Sequence, residues 1–262
     1  MADFINIRKG RNALSSALYV LLNIMLAVGS TFLTLASGSW ILGALLVILS
    51  KWRVVAVRPR YWWVNIKGSM VDLIVGMSLV YLVYFAGSEL NFAHIILTLI
   101  YAVWLVVIKP KSSEAMTEIQ ALMAVFLGMS VAAIMSTSLD PVVLVIMGFI
   151  VGYGAARHIL IQYEDYDFSL VTFLIGLMVG EVSFIMYHWL IIYSFDSVGL
   201  SLVVPQLAMA ATLLMFVFVK GYKSVLKHDG LIRVNEVLTP AIFSGLIMLL
   251  MVIYFSKPIF NV

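Results

Sequence analysis

Two ionisable residues lie within one apolar stretch that is long enough to cross a bilayer. Glu181 is near the middle of residues 169–192, SLVTFLIGLMVGEVSFIMYHWLII, and His188 follows seven residues later. At about 3.6 residues per turn, this spacing places both side chains on one helix face. An ionised carboxylate at this depth is costly, so Glu181 should be protonated, paired or open to a polar cavity. The pattern is typical of a proton or cation site, and a neutral carboxyl hydrogen-bonded to a neighbouring helix explains it equally well.

Four further residues are candidates for the same proton, ion or substrate path. Pro205 and Gln206 are expected in the outer half of a later span, where proline frees a backbone carbonyl and glutamine adds a donor and an acceptor. His94 and Asn23 belong to polar stripes with helical spacing in two other spans. A simple proline kink and hydrogen bonds between helices are the alternative explanations.

The composition excludes a soluble domain. Hydrophobic residues make up 63% of the chain and charged residues 11%, with a mean hydropathy of +1.10. Soluble domains average roughly 25% charged residues. Apolar runs of about 18 or more residues, separated by short charged segments, indicate transmembrane helices. The sequence therefore predicts an all-α, polytopic helical transmembrane bundle that forms a single integral membrane domain over residues 1–262.

About nine spans are predicted along the chain. They cover residues 13–35, 40–57, 69–85, 92–108, 115–135, 141–161, 169–192, 200–219 and 238–255. The boundary between the first two is open, because a turn at Gly29 and Ser30 would start the second span at Thr31. The second span is either short, with its uncharged part ending at Ser50, or continues to Val57 with Lys51 and Arg53 reaching the interface. The first span is interpreted as a signal anchor, with cleavage near residues 36–38 as the alternative.

The basic residues predict the orientation of these spans. Counted over nine spans, every Lys and Arg except Lys257 falls on one side of the membrane. By the positive-inside rule this side is the cytoplasm, with the N-terminus inside and the C-terminus outside. The expected location is the plasma (inner) membrane of a prokaryote.

Small residues suggest which spans pack closely. Gly148 and Gly152 in the sixth span, and Gly176 and Gly180 in the seventh, each have the GxxxG spacing. Glycines at this spacing allow two transmembrane helices to approach closely. We expect the sixth and seventh spans to pack against each other.

Charged residues near the span ends have simpler interpretations. Lys220, Lys223 and Lys227 share a helix face and are candidates for binding anionic lipid headgroups, with ordinary topology-setting charge as the alternative. Asp72 and Glu118, near the starts of the third and fifth spans, are interpreted as carboxylates that favour a helix N-terminus.

Several kinds of chemistry leave no signature in this sequence. The chain has no cysteine, which excludes disulfides and thiolate metal sites. It has no HExxH zinc motif, no Walker A loop and no lysine in the middle of a span. We expect no catalytic residue, metal site or cofactor, and no binding of nucleic acid.

Two functions remain open. The first is a proton-linked transporter of a small solute or ion that uses Glu181, and this residue alone favours it. The alternative is a non-catalytic membrane subunit or scaffold of an envelope assembly. The expected partners are the lipid bilayer, a small solute or proton, and a membrane protein partner or a second copy of the chain.

Overall fold

The computed structural model describes residues 2–163, 168–197, 200–228 and 230–254, so Lys257 lies outside the described residues. Within these ranges the chain forms α-helices and one pair of short strands. In chain order they are α1 (Ala2–Ser37), α2 (Trp40–Leu49), α3 (Trp52–Val55), α4 (Trp62–Gly68), α5 (Met70–Phe85), α6 (Phe92–Val103), α7 (Glu114–Met135), α8 (Pro141–Leu160), α9 (Phe168–Tyr187), β1 (Ile192–Ser197), β2 (Leu200–Pro205), α10 (Gln206–Lys227) and α11 (Val234–Tyr254).

Six helical segments in the described part of the chain are long and apolar enough to cross a membrane. They are Ser15–Ser37, Glu114–Met135, Pro141–Tyr163, Phe168–Tyr187, Gln206–Lys227 and Val234–Ile253. A hydrocarbon core of about 30 Å requires roughly 20 residues of helix, which these segments provide. The chain is therefore an integral membrane protein with a predominantly helical fold.

The other three expected spans are bent or short. Residues 59–68 and 70–85 are long and apolar enough to cross a membrane only when taken together, and the two helical segments are bent by 63° relative to each other. The helical segment Phe92–Ile108 is shorter and ends in one π-helical turn at residues 104–108.

The expected second span is observed in its short form, and a continuous helix over residues 40–57 is not. Helix α2 ends at Leu49, and the hydroxyl of Ser50 donates to the carbonyl of Val47 at 2.6 Å. A separate short helix, α3, begins at Trp52. The break coincides with Lys51 and Arg53, whose charges end the apolar segment.

The expected end of the seventh span and the expected start of the eighth span are both wrong. Two short strands lie between these helices, so the expectation of a purely α-helical chain is also corrected here. Helix α9 ends at Tyr187, before the expected residue 192. Strands β1 and β2 then pair antiparallel, with Ile192 opposite Pro205. A residue that precedes proline is restricted to extended conformations, so Val204 favours a strand and the helix begins only after Pro205.

The chain divides into two compact units, and each is described by itself. The first contains Met1–Val57 and Leu79–Lys111, and the second contains Arg58–Ser78 and Ser112–Val262. In the first unit, α1 packs against α2 and α6. The hydroxyls of Thr31 and Thr98 are 2.8 Å apart, so a hydrogen bond joins α1 to α6.

Helix α7 is the most buried span of the second unit. It packs against α8 on one side and α10 on another, while α8 also packs against α9. The core of this unit contains Val125, Met129, Leu144, Leu207 and Met215, all of which are almost fully buried. This packing fixes the inner face of α9 and leaves its outer face exposed.

The first pair of expected packing glycines lies on α8 where α9 crosses it. A methyl group added to Gly152 would be 2.8 Å from the Cβ of Val179. A methyl group added to Gly148 would collide with the hydroxyl of Ser183. The absence of side chains at both positions allows the two helices to touch.

The second pair lies on α9 and meets the backbone of α8. A methyl group added to Gly176 would be 3.1 Å from the carbonyl oxygen of Phe149, and one on Gly180 would be 3.2 Å from that of Val145. Small residues of each helix therefore face the other helix, and α9 is held against α8 at short range.

We predict that Gly152→Ala lowers the free energy of unfolding by about 1–3 kcal/mol, because the added methyl overpacks against Val179. Thermal unfolding in detergent would measure this change. Gly221→Ala in α10 is the matched control, since no atom lies within 4 Å of its added methyl. The control should be neutral or slightly stabilising. Equal effects of both substitutions would contradict close packing at Gly152.

Candidate functional site

Glu181 is the ionisable residue that lies deepest along α9. It lies six positions before Tyr187, the last residue of the helix, or about 9 Å at 1.5 Å per residue. Its side chain is exposed on the outer surface of α9. Within the described part of the chain it makes no hydrogen bond and no ion pair. The carboxyl group therefore faces outward at a depth where hydrocarbon would surround it.

His188 lies in the turn that directly follows α9. Its side chain is exposed, and its Nδ1 is 3.0 Å from the carbonyl oxygen of Phe184. The edge of its ring also meets the Phe184 ring, with centroids 5.0 Å apart. These contacts hold the imidazole beside the helix end.

Pro205 and Gln206 form the junction between β2 and α10. Pro205 is the residue before the first helical turn, and the backbone N–H of Gln206 donates to the carbonyl of Ile191 at 2.9 Å. Both residues are buried. The expected proline kink inside a span is therefore wrong: Pro205 precedes the helix, where the lack of an N–H costs nothing.

His94 is completely buried and caps the N-terminus of α6. The backbone N–H of Asn91 is 3.1 Å from its Nδ1, while Nε2 is 3.1 Å from the carbonyl of Val83 and 3.2 Å from that of Gly87. Nδ1 also lies 2.8 Å from Oδ1 of Asn91, so both ring nitrogens have polar partners. This arrangement gives the histidine a structural role at the start of the helix.

Asn23 also makes a local contact. Its amide donates to the carbonyl of Tyr19 at 2.8 Å, within the same helix. Asn23 and His94 belong to the first unit, whereas Glu181, His188 and Gln206 belong to the second. The candidate path residues therefore fall into two separate groups.

A polar network among the described residues of the second unit involves Glu118, whose carboxylate was expected only to favour a helix N-terminus. Glu118 is almost buried, at 8% exposure. Lys223 forms an ion pair with its Oε1, and the Nζ of Lys220 is 3.3 Å from its Oε2. Lys223 Nζ is also 2.8 Å from Oε1 of Glu114. We call these four residues the Glu118 cluster.

Neighbouring side chains extend the Glu118 cluster. The hydroxyl of Tyr163 donates to Oε1 of Glu114 at 2.7 Å, and the amide of Gln162 donates to the hydroxyl of Thr117. The cluster joins the start of α7 to the later half of α10, and Gln162 and Tyr163 extend it to the turn that follows α8. Glu114 lies in the first turn of α7, where a negative charge is favourable.

The three lysines proposed for lipid headgroups thus have acidic partners within the chain. Lys220 and Lys223 bind the Glu118 cluster, and the Nζ of Lys227 is 3.2 Å from Oε1 of Glu236. Glu114 and Glu118 share one helix face by their spacing, and Lys220 and Lys223 share another. This pattern indicates two faces of opposite charge that could pair. It could not show that α7 and α10 are neighbours, because about a hundred residues separate them.

Two cavities in the described residues are mostly apolar. One, of about 490 Å³, lies between α9, α10 and α11, and Ser244 is the polar side chain in its lining. The other, of about 830 Å³, lies beside α1 and α6 and includes His94 and Thr98. Glu181, His188 and Gln206 line neither cavity. Among the described residues, no group of three or more His, Cys, Asp or Glu side chains is placed to hold a metal ion.

Comparison with known proteins adds no assignment: no family model, curated protein or solved structure matches this chain.

We predict that Glu118→Leu lowers the free energy of unfolding by about 2 kcal/mol, because two lysines lose a buried counter-charge. Thermal unfolding followed by tryptophan fluorescence would measure the loss. Glu114→Gln is the control, since 55% of the Glu114 side chain is exposed. Exposed pairs contribute at most about 1 kcal/mol, so the control should change stability less. A larger loss in the control would contradict the central position of Glu118.

Proposed function

We propose that this chain is a non-catalytic membrane subunit that assembles with another transmembrane chain inside the bilayer. The observation that supports this function best is the exposed carboxyl of Glu181, which has no partner among the described residues. A carboxyl that faces lipid costs several kcal/mol when ionised. A helix of another chain that supplies a hydrogen bond removes much of this cost.

The cavities are consistent with a subunit that is completed by other molecules. The first is lined by aliphatic side chains apart from Ser244, and the second is mostly apolar although Thr31, His94 and Thr98 also line it. Lipid chains or apolar side chains of a neighbour fit such surfaces better than a hydrated ion does. The polar network around Glu118, in contrast, is internally paired and holds helix ends together.

The membrane topology is part of the same proposal. We propose a multi-pass chain of nine spans, in which α2, the bent segment 59–85 and the segment 92–108 are the three irregular spans. The N-terminus is cytoplasmic and the C-terminus is outside, in a prokaryotic plasma membrane. The support is the distribution of Lys and Arg, since all but Lys257 fall on one side when nine spans are counted.

We predict that the wild-type chain, expressed at its native level, is released from its membrane in a complex of defined mass well above 29.1 kDa. Native mass spectrometry of the protein in nanodiscs would measure it. Glu181→Leu should weaken the complex, since leucine cannot form a hydrogen bond, while Glu181→Gln should preserve it. Glu89→Leu, at an exposed acid in the loop before α6, is the matched control. A wild-type chain that is monomeric under these conditions would exclude the proposed function.

Proton-linked transport of a small solute or ion is the second candidate function. The observation that favours it is that no ion pair within the described residues fixes the charge of Glu181. Infrared titration of reconstituted protein would test whether the Glu181 carboxyl exchanges its proton with water between about pH 5 and 9. A band that titrates and is lost in Glu181→Gln, together with proton flux that the mutation abolishes, would favour transport. A band that does not titrate would count against it.

A further inference from the structure

The outer face of α9 carries side chains at the spacing of a coiled-coil seam. The intervals between them are four, three, four and three residues, and we call them the α9 seam: Leu170, Leu174, Leu177, Glu181 and Phe184. All five side chains are exposed. A repeat of 3.5 residues is the pattern that lets two helices keep the same faces in contact over their length.

The opposite face of α9 is already occupied. Thr172, Gly176, Val179 and Ser183 repeat at the same intervals, and all four are buried. Gly176 and Val179 meet α8 directly, as their short contacts with Phe149 and Gly152 indicate. Helix α9 therefore has one face filled by its own chain and a second face, with equally regular spacing, that the described residues leave exposed.

The position of Glu181 within the seam limits which helix can fill the free face. Every other member of the α9 seam is apolar, so a facing helix must satisfy one carboxyl group while it packs against leucine and phenylalanine. A single polar residue at such a position typically sets the register and the number of helices. An exposed face that is entirely apolar does not set a register in this way. Helix α11 presents a face of this kind, with Leu246, Leu249 and Leu250 exposed.

A neutral carboxyl group is complementary to itself. Its O–H donates one hydrogen bond and its carbonyl oxygen accepts one. Two such groups facing each other across a two-fold axis form two equivalent hydrogen bonds. Copies of one chain insert into the membrane in one orientation, so their α9 helices would run parallel and in register. The same residue would then meet its own copy at the axis, as an isologous interface requires.

We infer that a second copy of this chain packs against the α9 seam, with the two protonated Glu181 carboxyls hydrogen-bonded to each other. This inference rests on the proposed function and names its partner. The small residues on the inner face of α9 pack against α8 of the same chain, and the large residues on its outer face would pack against α9 of the second copy. His188, in the turn after the helix, continues the seam spacing and would lie near its own copy at one end.

The absence of native cysteine allows a direct test by cross-linking. A single cysteine is placed at Leu174 in the seam or at Leu249 in α11 of the full chain in its own membrane. Both leucines have the same exposure of 53%, so they are matched for access. We expect Leu174→Cys to give a disulfide-linked dimer of twice 29.1 kDa at least about tenfold faster than Leu249→Cys. Cross-linking of Leu174→Cys at the rate of the α11 control would overturn the inference.

A second substitution tests the role of the carboxyl. Glu181→Leu, combined with Leu174→Cys, should slow dimer formation about tenfold, which corresponds to the loss of hydrogen bonds within the membrane. Glu181→Gln should keep it, because an amide also donates and accepts. Unchanged cross-linking in Glu181→Leu would overturn the carboxyl pair.

The outcomes separate this inference from the proposed function. If native mass spectrometry finds a stoichiometric foreign protein that depends on Glu181, and Leu174→Cys does not cross-link to itself, the second copy is excluded and the subunit function stands. If neither a foreign partner nor a self-cross-link is found, both proposals fail.

Discussion

The hydrocarbon core of the membrane imposes the constraint on which the rest of this structure depends, because it offers no hydrogen-bond partner to a polar group. Helices satisfy their own backbones, and many hydroxyls in the spans return to their own helix. Ser30 donates to the carbonyl of Ala27 at 2.9 Å, and Ser183 donates to that of Val179 at 2.6 Å. Glu181 on α9 has no such hydrogen bond among the described residues, and the proposed assembly is based on this difference.

The polar contacts of Glu118 and His94 lie near helix ends. Glu118 collects Lys220 and Lys223 near the start of α7, and His94 closes the first turn of α6 with backbone contacts. Between these ends, the α8–α9 contact relies on small residues and close approach. In these examples charged groups join helix ends and small residues join helix middles, whereas Glu181 has no polar partner among the described residues.

The candidate site was only partly predictable. Glu181 could be recognised because a charge within an apolar run is a local property of the sequence. The burial of Glu118 could not, because its partners are about a hundred residues away and become neighbours only when α7 packs against α10. Pro205 was expected inside a span, although the local sequence favours another position. The residue before a proline prefers an extended conformation, which favours a strand before Pro205 and a helix that starts after it.

By itself, the sequence determined that this is a helical membrane protein and approximately where its long helices lie, since the length and polarity of a run suffice for both. Short or interrupted spans, such as the one that ends at Leu49, were less certain because a few charged residues can stop a helix early. Only the tertiary structure decided which face of α9 is covered. Small and large residues repeat with the same period on its two faces. The short distance between Gly152 of α8 and Val179 shows that α8 packs against the face with the small residues.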